Sequence, residues 1–77
     1  MVSTHTLYSF KRNENEEVRF SIREYKARLY VDVRIFFAAC DSCEYRPTRK
    51  GLTLPVAFLG ELKRGIEKAE SELVANA

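Results

Sequence analysis

Histidine occurs once in these 77 residues and cysteine twice, a scarcity that excludes most metal and nucleophilic chemistry. Cys40 and Cys43 have ligand spacing, yet zinc takes four ligands, and His5 still leaves the set one short. A thioredoxin-like Cys-x-x-Cys needs its first cysteine at a helix N-terminus, whereas this pair falls in an expected hairpin loop. The two cysteines are therefore expected to be structural or incidental, with serine at both positions leaving binding intact. No metal and no cofactor are expected. The chain also lacks a Ser–His–Asp set, a phosphate-binding loop, dinucleotide glycines and paired carboxylates in an apolar run, so it is not expected to be an enzyme. No apolar run approaches the roughly 18 residues of a membrane span. The opening "MVSTHTLYSF" lacks a basic stretch followed by an apolar one, which argues against a secretory leader. The expected location is the cytoplasm or nucleoid, or the nucleus if the source is eukaryotic. Repeats, linkers and low-complexity tracts are missing as well.

What is present is a globular composition, 45% hydrophobic and 31% charged. A single domain over residues 1–77 is expected, with a core so small that pairing into a dimer is a natural remedy. The net charge of +2 conceals an asymmetry. Residues 19–50 hold eight cations against four acids, a net of +4, while the flanking segments are each −1. A basic centre of this kind suits a polyanionic partner.

Apolar periodicity supplies the architecture. "TLYSF" is β-prone and reads as a first strand, and the polar "KRNENEE" reads as a turn. In "VRFSIRE", Val18, Phe20 and Ile22 alternate with Arg19, Ser21 and Arg23, which predicts a half-buried strand with a basic outer face. "LYVDVRIFF" restarts the alternation, with Leu29, Val31, Val33, Ile35 and Phe37 on one parity and Tyr30, Asp32, Arg34 and Phe36 on the other. "AACDSCE" is a loop, and "YRPTRKGLTL" returns as a fourth strand, with Pro47 pointing to an edge position. From Pro55 the period changes: Leu59, Leu62, Ile66, Ala69 and Leu73 form a helical stripe, with Pro55 expected in the first turn. Gly60 and Gly65 weaken that helix unless they permit close approach of another backbone. The predicted fold is α+β: a four-stranded antiparallel sheet followed by one C-terminal helix.

"VRFSIREYKARLYVDVRIFF", "RPTRKGLTL" and "ELKRGIEKAE", in that order, resemble the C-terminal domain of the positive cofactor four (transcriptional coactivator p15) family over about residues 18–70. The resemblance implies a homodimer that binds single-stranded DNA, or unwound duplex, on a curved sheet, with a role in transcription and contact with the transcription machinery. Carried over by position, the nucleic-acid contacts fall on Arg23, Tyr25, Lys26, Arg28, Arg34, Phe37, Arg46, Arg49 and Lys50. The stripe Leu59, Leu62, Ile66 and Leu73 becomes core or dimer interface. This chain departs from the pattern at Phe37, where many members carry Trp, at Ala27, a usual Gly, and at Pro55, where an Asn would cap the helix.

Composition supports the same chemistry. Single-strand binders pair a cationic groove for phosphates with rings on which unpaired bases stack. Tyr25 adjoins Lys26, Phe36 and Phe37 follow Arg34, and Tyr45 precedes Arg46. Plainer roles stand beside these: one of Phe36 and Phe37 in the core, Tyr30 and Tyr45 as packing or interface residues, Arg19 as a solvated side chain, and Asp32 paired with a neighbouring cation. The rival functions are an adapter docking an acidic protein, an RNA-binding protein, and a redox or metal protein built on the cysteines.

Overall fold

A computed structural model describes residues 3–75; the ends of the expected 1–77 domain, residues 1–2 and 76–77, lie outside the described residues. Four strands, β1 (Ser3–Lys11), β2 (Glu16–Tyr25), β3 (Arg28–Phe37) and β4 (Arg46–Pro55), form one antiparallel sheet in the order β1-β2-β3-β4. A 3-10 turn (Val56–Phe58) leads into helix α1 (Leu59–Ala75). This is the α+β meander predicted from the alternation. β1 is longer than "TLYSF" alone, because a register shift around Leu7 lets pairing with β2 continue on both sides of it. In the β1–β2 turn, the Asn13 carboxamide oxygen accepts from the Asn15 and Glu16 amides, which replaces pairing the turn cannot supply.

The register separates two faces. Ser21 lies opposite Asp32, Arg19 opposite Arg34, and Asp32 opposite Thr53, so one face carries Arg19, Arg23, Arg28, Tyr30, Asp32, Arg34 and Phe36. The other carries Val18, Phe20, Ile22, Val31, Val33, Ile35, Leu52 and Leu54. On that apolar side Tyr8, Phe10 and Phe20 form a ring cluster with centroids 6.0–6.4 Å apart. Burial is nevertheless slight. Among the described residues the buried apolar side chains are Val31 and Ala38 alone.

The hairpin joining β2 to β3 turns on two residues, Lys26 and Ala27, with φ of 51° and 62°. Two positive φ values are what a type I′ turn requires, and its twist matches the flanking strands. Ala27 therefore completes the turn that the missing glycine would have made more easily, at a cost of about 1–2 kcal/mol for a side chain in the left-handed region. Ala27→Gly is expected to raise stability by about 0.5–1 kcal/mol, the relief of strain exceeding the added freedom of the unfolded chain. Denaturant midpoints check this; a lower midpoint would show the turn to be unstrained.

Pro55 corrects one expectation. At φ −56° and ψ 145° it is extended, closes β4, and gives no side-chain cap to the 3-10 turn, so the α-helix begins only at Leu59. The helix reaches the remainder of the chain mainly through that turn and leaves the apolar sheet face uncovered. Of the stripe, Leu62 is half-buried, while Leu59, Ile66 and Leu73 are exposed, Ile66 by 51% and Leu73 by 73%. Core packing on the chain's own sheet is thus not their role, because the helix projects away from it. Apart from the helix's own adjoining backbone, no described atom lies within 4 Å of a Cβ built on Gly60 or Gly65. The chain's radius of gyration is 14.6 Å, against about 11–12 Å for a compact domain of this length. Its accessible surface is 6402 Å², against about 4800 Å² for a compact monomer.

Candidate nucleic-acid interface

At the hairpin end of the polar face, Arg23, Tyr25, Tyr30 and Thr53 line an open cleft of about 270 Å³. Tyr25 is half-exposed, and the Lys26 ammonium lies 5.3 Å from the centre of its ring. The tight turn is what sets Lys26 beside Tyr25, and Arg28 faces Tyr25 across the first pair of the ladder. Two phenol rings and a guanidinium around this cleft offer faces for a flat aromatic group and a cation for an anion beside it.

In the middle of the face lies a polar knot. Arg34 donates through Nε to Asp32 Oδ2 (3.2 Å), through Nη2 to Asp32 Oδ1 (2.9 Å) and to Thr53 Oγ1 (3.2 Å), and through Nη1 to the Thr48 carbonyl (2.9 Å). Thr53 in turn donates to Asp32 Oδ1. Burial pushes the Asp32 carboxyl upward, but hydrogen bonds from Arg34 and Thr53 and the charges of Arg34 and Arg23 outweigh it, holding the group below its ordinary range. Asp32 thus pairs with a neighbouring cation as the sequence suggested. Arg34, expected as a nucleic-acid contact, has four of its internal N–H directions engaged and a side chain only 20% exposed. Its geometry is that of a positioning residue.

What Arg34 positions is an irregularity in β4. Arg34 pairs with Gly51, yet Phe36 pairs with Pro47, so β4 carries two extra residues against β3. Thr48 fixes the bulge, donating to the Ile35 carbonyl (2.7 Å) and accepting from the Lys50 amide (3.2 Å). Arg49 and Lys50 are exposed on this bulged outer edge. Pro47 sits on the edge strand, where its missing donor costs no ladder bond.

At the far end, Arg19 lies 4.3 Å from the Phe36 ring centre and 5.3 Å from that of Tyr45, with Glu17 Oε1 2.8 Å from its Nε. Sequence reasoning treated Arg19 as solvated and Tyr30 and Tyr45 as packing. Strand parity already grouped Arg19, Arg23, Tyr30, Arg34 and Phe36, and that signal identifies them as one surface. Phe37 goes elsewhere: alternation sets it on the side of Val33 and Ile35, where it pairs with Arg46 and, with Ala39, Cys43 and Glu44, lines a cleft of about 440 Å³. The expected site residues therefore form two groups, with Arg23, Tyr25, Lys26 and Arg28 near the hairpin and Phe37, Arg46, Arg49 and Lys50 toward the other end. Nine residue steps along β3 separate Arg28 from Phe37, about 30 Å. "REYKAR" and "RPTRKG" thus lie toward opposite ends of β3.

Cys40 and Cys43 are joined by a disulfide within the β3–β4 loop. Among the described residues no three His, Cys, Asp or Glu side chains gather as a metal site, and no helix is long and apolar enough to cross a membrane.

The family model for Transcriptional Coactivator p15 (PC4) matches residues 12–65. A PC4 homologue from Burkholderia pseudomallei, solved in two crystal forms, superposes with a TM-score of 0.80 at 29% identity, covering 88% of this chain and 98% or 90% of that one. The bacteriophage T5 homologue of the eukaryotic transcription coactivator PC4, implicated in recombination-dependent DNA replication, superposes with a TM-score of 0.57 at 21% identity, covering 97% of this chain and 78% of that one. No curated protein sequence matches the chain.

Proposed function

Because the chain belongs to the transcriptional coactivator p15 (PC4) family, known for DNA binding and coactivator roles, we propose that it binds single-stranded DNA along the polar face of its sheet. The observation that carries this reading is the sharing of one face by Arg19, Arg23 and Arg28 with Tyr25, Tyr30, Phe36 and Tyr45. The cations meet phosphates and release counterions, which gives affinity without a sequence code. The rings accept unpaired bases, each stack contributing about 1–3 kcal/mol whatever the base. Duplex DNA keeps its bases stacked inside and offers nothing to the rings, so melted strands are preferred. The protein acts as a binding protein in transcription or DNA maintenance, in the cytoplasm or nucleoid or in a nucleus, and catalyses no reaction.

A second copy of the chain completes the molecule. Each chain exposes roughly 1600 Å² more than a compact monomer of its length. A pair that covered this excess would remove about 3200 Å², within the range of obligate homodimers. Phe58, Leu59, Ile66 and Leu73 supply the apolar part of that surface, and the dimer presents two tracks.

Fluorescence anisotropy with labelled single-stranded DNA, single-stranded RNA and duplex DNA over a salt series tests the proposal. Single-stranded DNA is expected to bind tightest, with affinity falling steeply as salt rises. Equal binding to single strand and duplex, or none at low salt, would support the adapter reading instead; tighter RNA binding would reassign the ligand. Replacing Arg49 and Lys50 together by Ala is expected to flatten the salt slope by at most about two units. An unchanged slope would remove both from the track. Sedimentation of the same samples is expected to give twice the chain mass.

A further inference from the structure

Tyr30 stands where two clefts meet. On one side is the cleft of about 270 Å³ that it shares with Arg23, Tyr25 and Thr53. On the other, a cleft of about 250 Å³ is lined by Tyr30 with Arg28, Leu29, Pro55, Val56 and Ala57. Among the described residues no other side chain lines both, so the half-buried Tyr30 is the wall between them. The ladder explains the placement. Tyr30 pairs with Arg23 on one side and Pro55 on the other, while Thr53 pairs with Asp32, two positions further along β3. One cleft therefore opens over the Asp32 row of the polar face. The other opens toward the hairpin end of that face and the 3-10 turn.

Each cleft falls below the roughly 300–1,000 Å³ of a drug-sized pocket, so each takes one flat group and no more. Each also has one guanidinium, Arg23 in the first and Arg28 in the second, and among the described residues no carboxylate lines either. That pairing suits a unit made of a planar ring and an anion, twice in succession. The spacing agrees. Tyr25 lies opposite Arg28, which makes Tyr30 its diagonal neighbour, and such neighbours lie about 7–8 Å apart. A planar group held between two rings needs twice a carbon contact distance of about 3.5–4.0 Å, which is the same span. The second cleft sets the alkyl groups of Leu29, Pro55, Val56 and Ala57 around the other side of Tyr30.

We propose that Tyr30 inserts between two successive bases of a single strand, making the hairpin end of the sheet a two-nucleotide seat. One base lies between Tyr25 and Tyr30, and the next lies between Tyr30 and the Pro55–Ala57 segment. Arg23 and Arg28 meet the phosphates that these two units carry. The proposal rests on the single-strand reading above and extends it to Tyr30, which the family pattern does not count among its contacts. Duplex is refused because each of its bases already has both faces covered by neighbours. A mononucleotide fills one cleft and leaves the other face of Tyr30 bare.

The first test uses wild-type protein and a 5′-phosphorylated dinucleotide of deoxyadenosine, titrated to saturation. Methyl signals are followed by NMR for Thr53 in the first cleft and for Val56 and Ala57 in the second. Ring currents from two seated bases are expected to shift both sets together. Shifts confined to one set overturn the two-nucleotide seat and leave the single-strand reading in place. The second test measures a labelled oligothymidylate by anisotropy. Tyr30→Leu is expected to weaken binding by about ten- to a hundredfold, since stacking is lost on both faces. Its salt slope is expected to match wild type, because no cation is removed. Tyr30→Phe keeps the ring and is expected to bind within about twofold of wild type. Wild-type affinity in Tyr30→Leu, equal losses in both variants, or a flattened slope overturns the role of the ring without touching the wider reading. Wild-type protein that does not prefer oligothymidylate to a duplex of equal length overturns the single-strand reading, and the seat with it.

Discussion

Asp32→Ala is expected to cost about 2–3 kcal/mol and to lower the melting temperature by roughly 10–20 °C in a domain of this size. Two groups lose their partner together: Arg34 loses two hydrogen bonds and its counter-charge, and Thr53 loses its acceptor. The loss is less than the 3–5 kcal/mol typical of a fully buried pair, because the Arg34 side chain is 20% exposed and can turn toward water. The pH dependence follows from the depressed carboxyl. In the unfolded chain Asp32 takes up its proton near its ordinary value of 3.8, and in the folded chain only at lower pH. The stabilisation is therefore complete above about pH 5 and is lost as pH falls through the folded value. Denaturation of both proteins at pH 7, 5 and 3 checks this. The gap between wild type and variant should be the same at pH 7 and 5 and should narrow at pH 3. A constant gap down to pH 2 would mean that the carboxylate's charge is not what the knot depends on.

The knot also shows where sequence reading stops. Alternation in "VRFSIRE" and "LYVDVRIFF" was enough to place β2 and β3, their pairing and the basic face, since a period of two leaves no choice of side once one residue is assigned. The helix was equally visible from Leu59, Leu62, Ile66 and Leu73. Parity even separated Phe37 from Arg34, although the family pattern treats both as contacts. What alternation does not carry is register across a bulge: nothing local in "RPTRKG" says that Pro47 meets Phe36 while Gly51 meets Arg34. Arg34 therefore looked like a free cation until the Thr48 carbonyl and Thr53 hydroxyl were brought to it from a strand some 15 residues away. The helix start was missed for a related reason. Pro55 fits a helix's first turn and the last position of an edge strand equally well, and only its extended ψ of 145° decides. The cysteine pairing was open because spacing alone does not distinguish a disulfide from two thiols.

Gly51→Ala is expected to destabilise the protein by about 2–3 kcal/mol, for a reason of space rather than backbone conformation. The chain there has no positive φ. A Cβ at residue 51 would stand 2.5 Å from the Val33 carbonyl oxygen and 2.8 Å from the Arg34 Cα, both backbone atoms of β3 that cannot rotate aside. The two strands must move apart, and they would do so beside the hydrogen bonds that Arg34 and Thr48 use to hold the bulge. The lesion should thus reach function as well as stability: Arg49 and Lys50 lose their fixed position, and single-strand affinity falls even at temperatures where the variant is folded. This distinguishes it from Ala27→Gly, which changes the opposite end of the sheet and should leave the Arg49–Lys50 edge untouched. Thermal melts and anisotropy at low temperature check both parts. A Gly51→Ala protein that melts within 2 °C of wild type would show that β3 and β4 do not approach this closely, and the bulge would then need another explanation than the meeting of a bare backbone with Arg34.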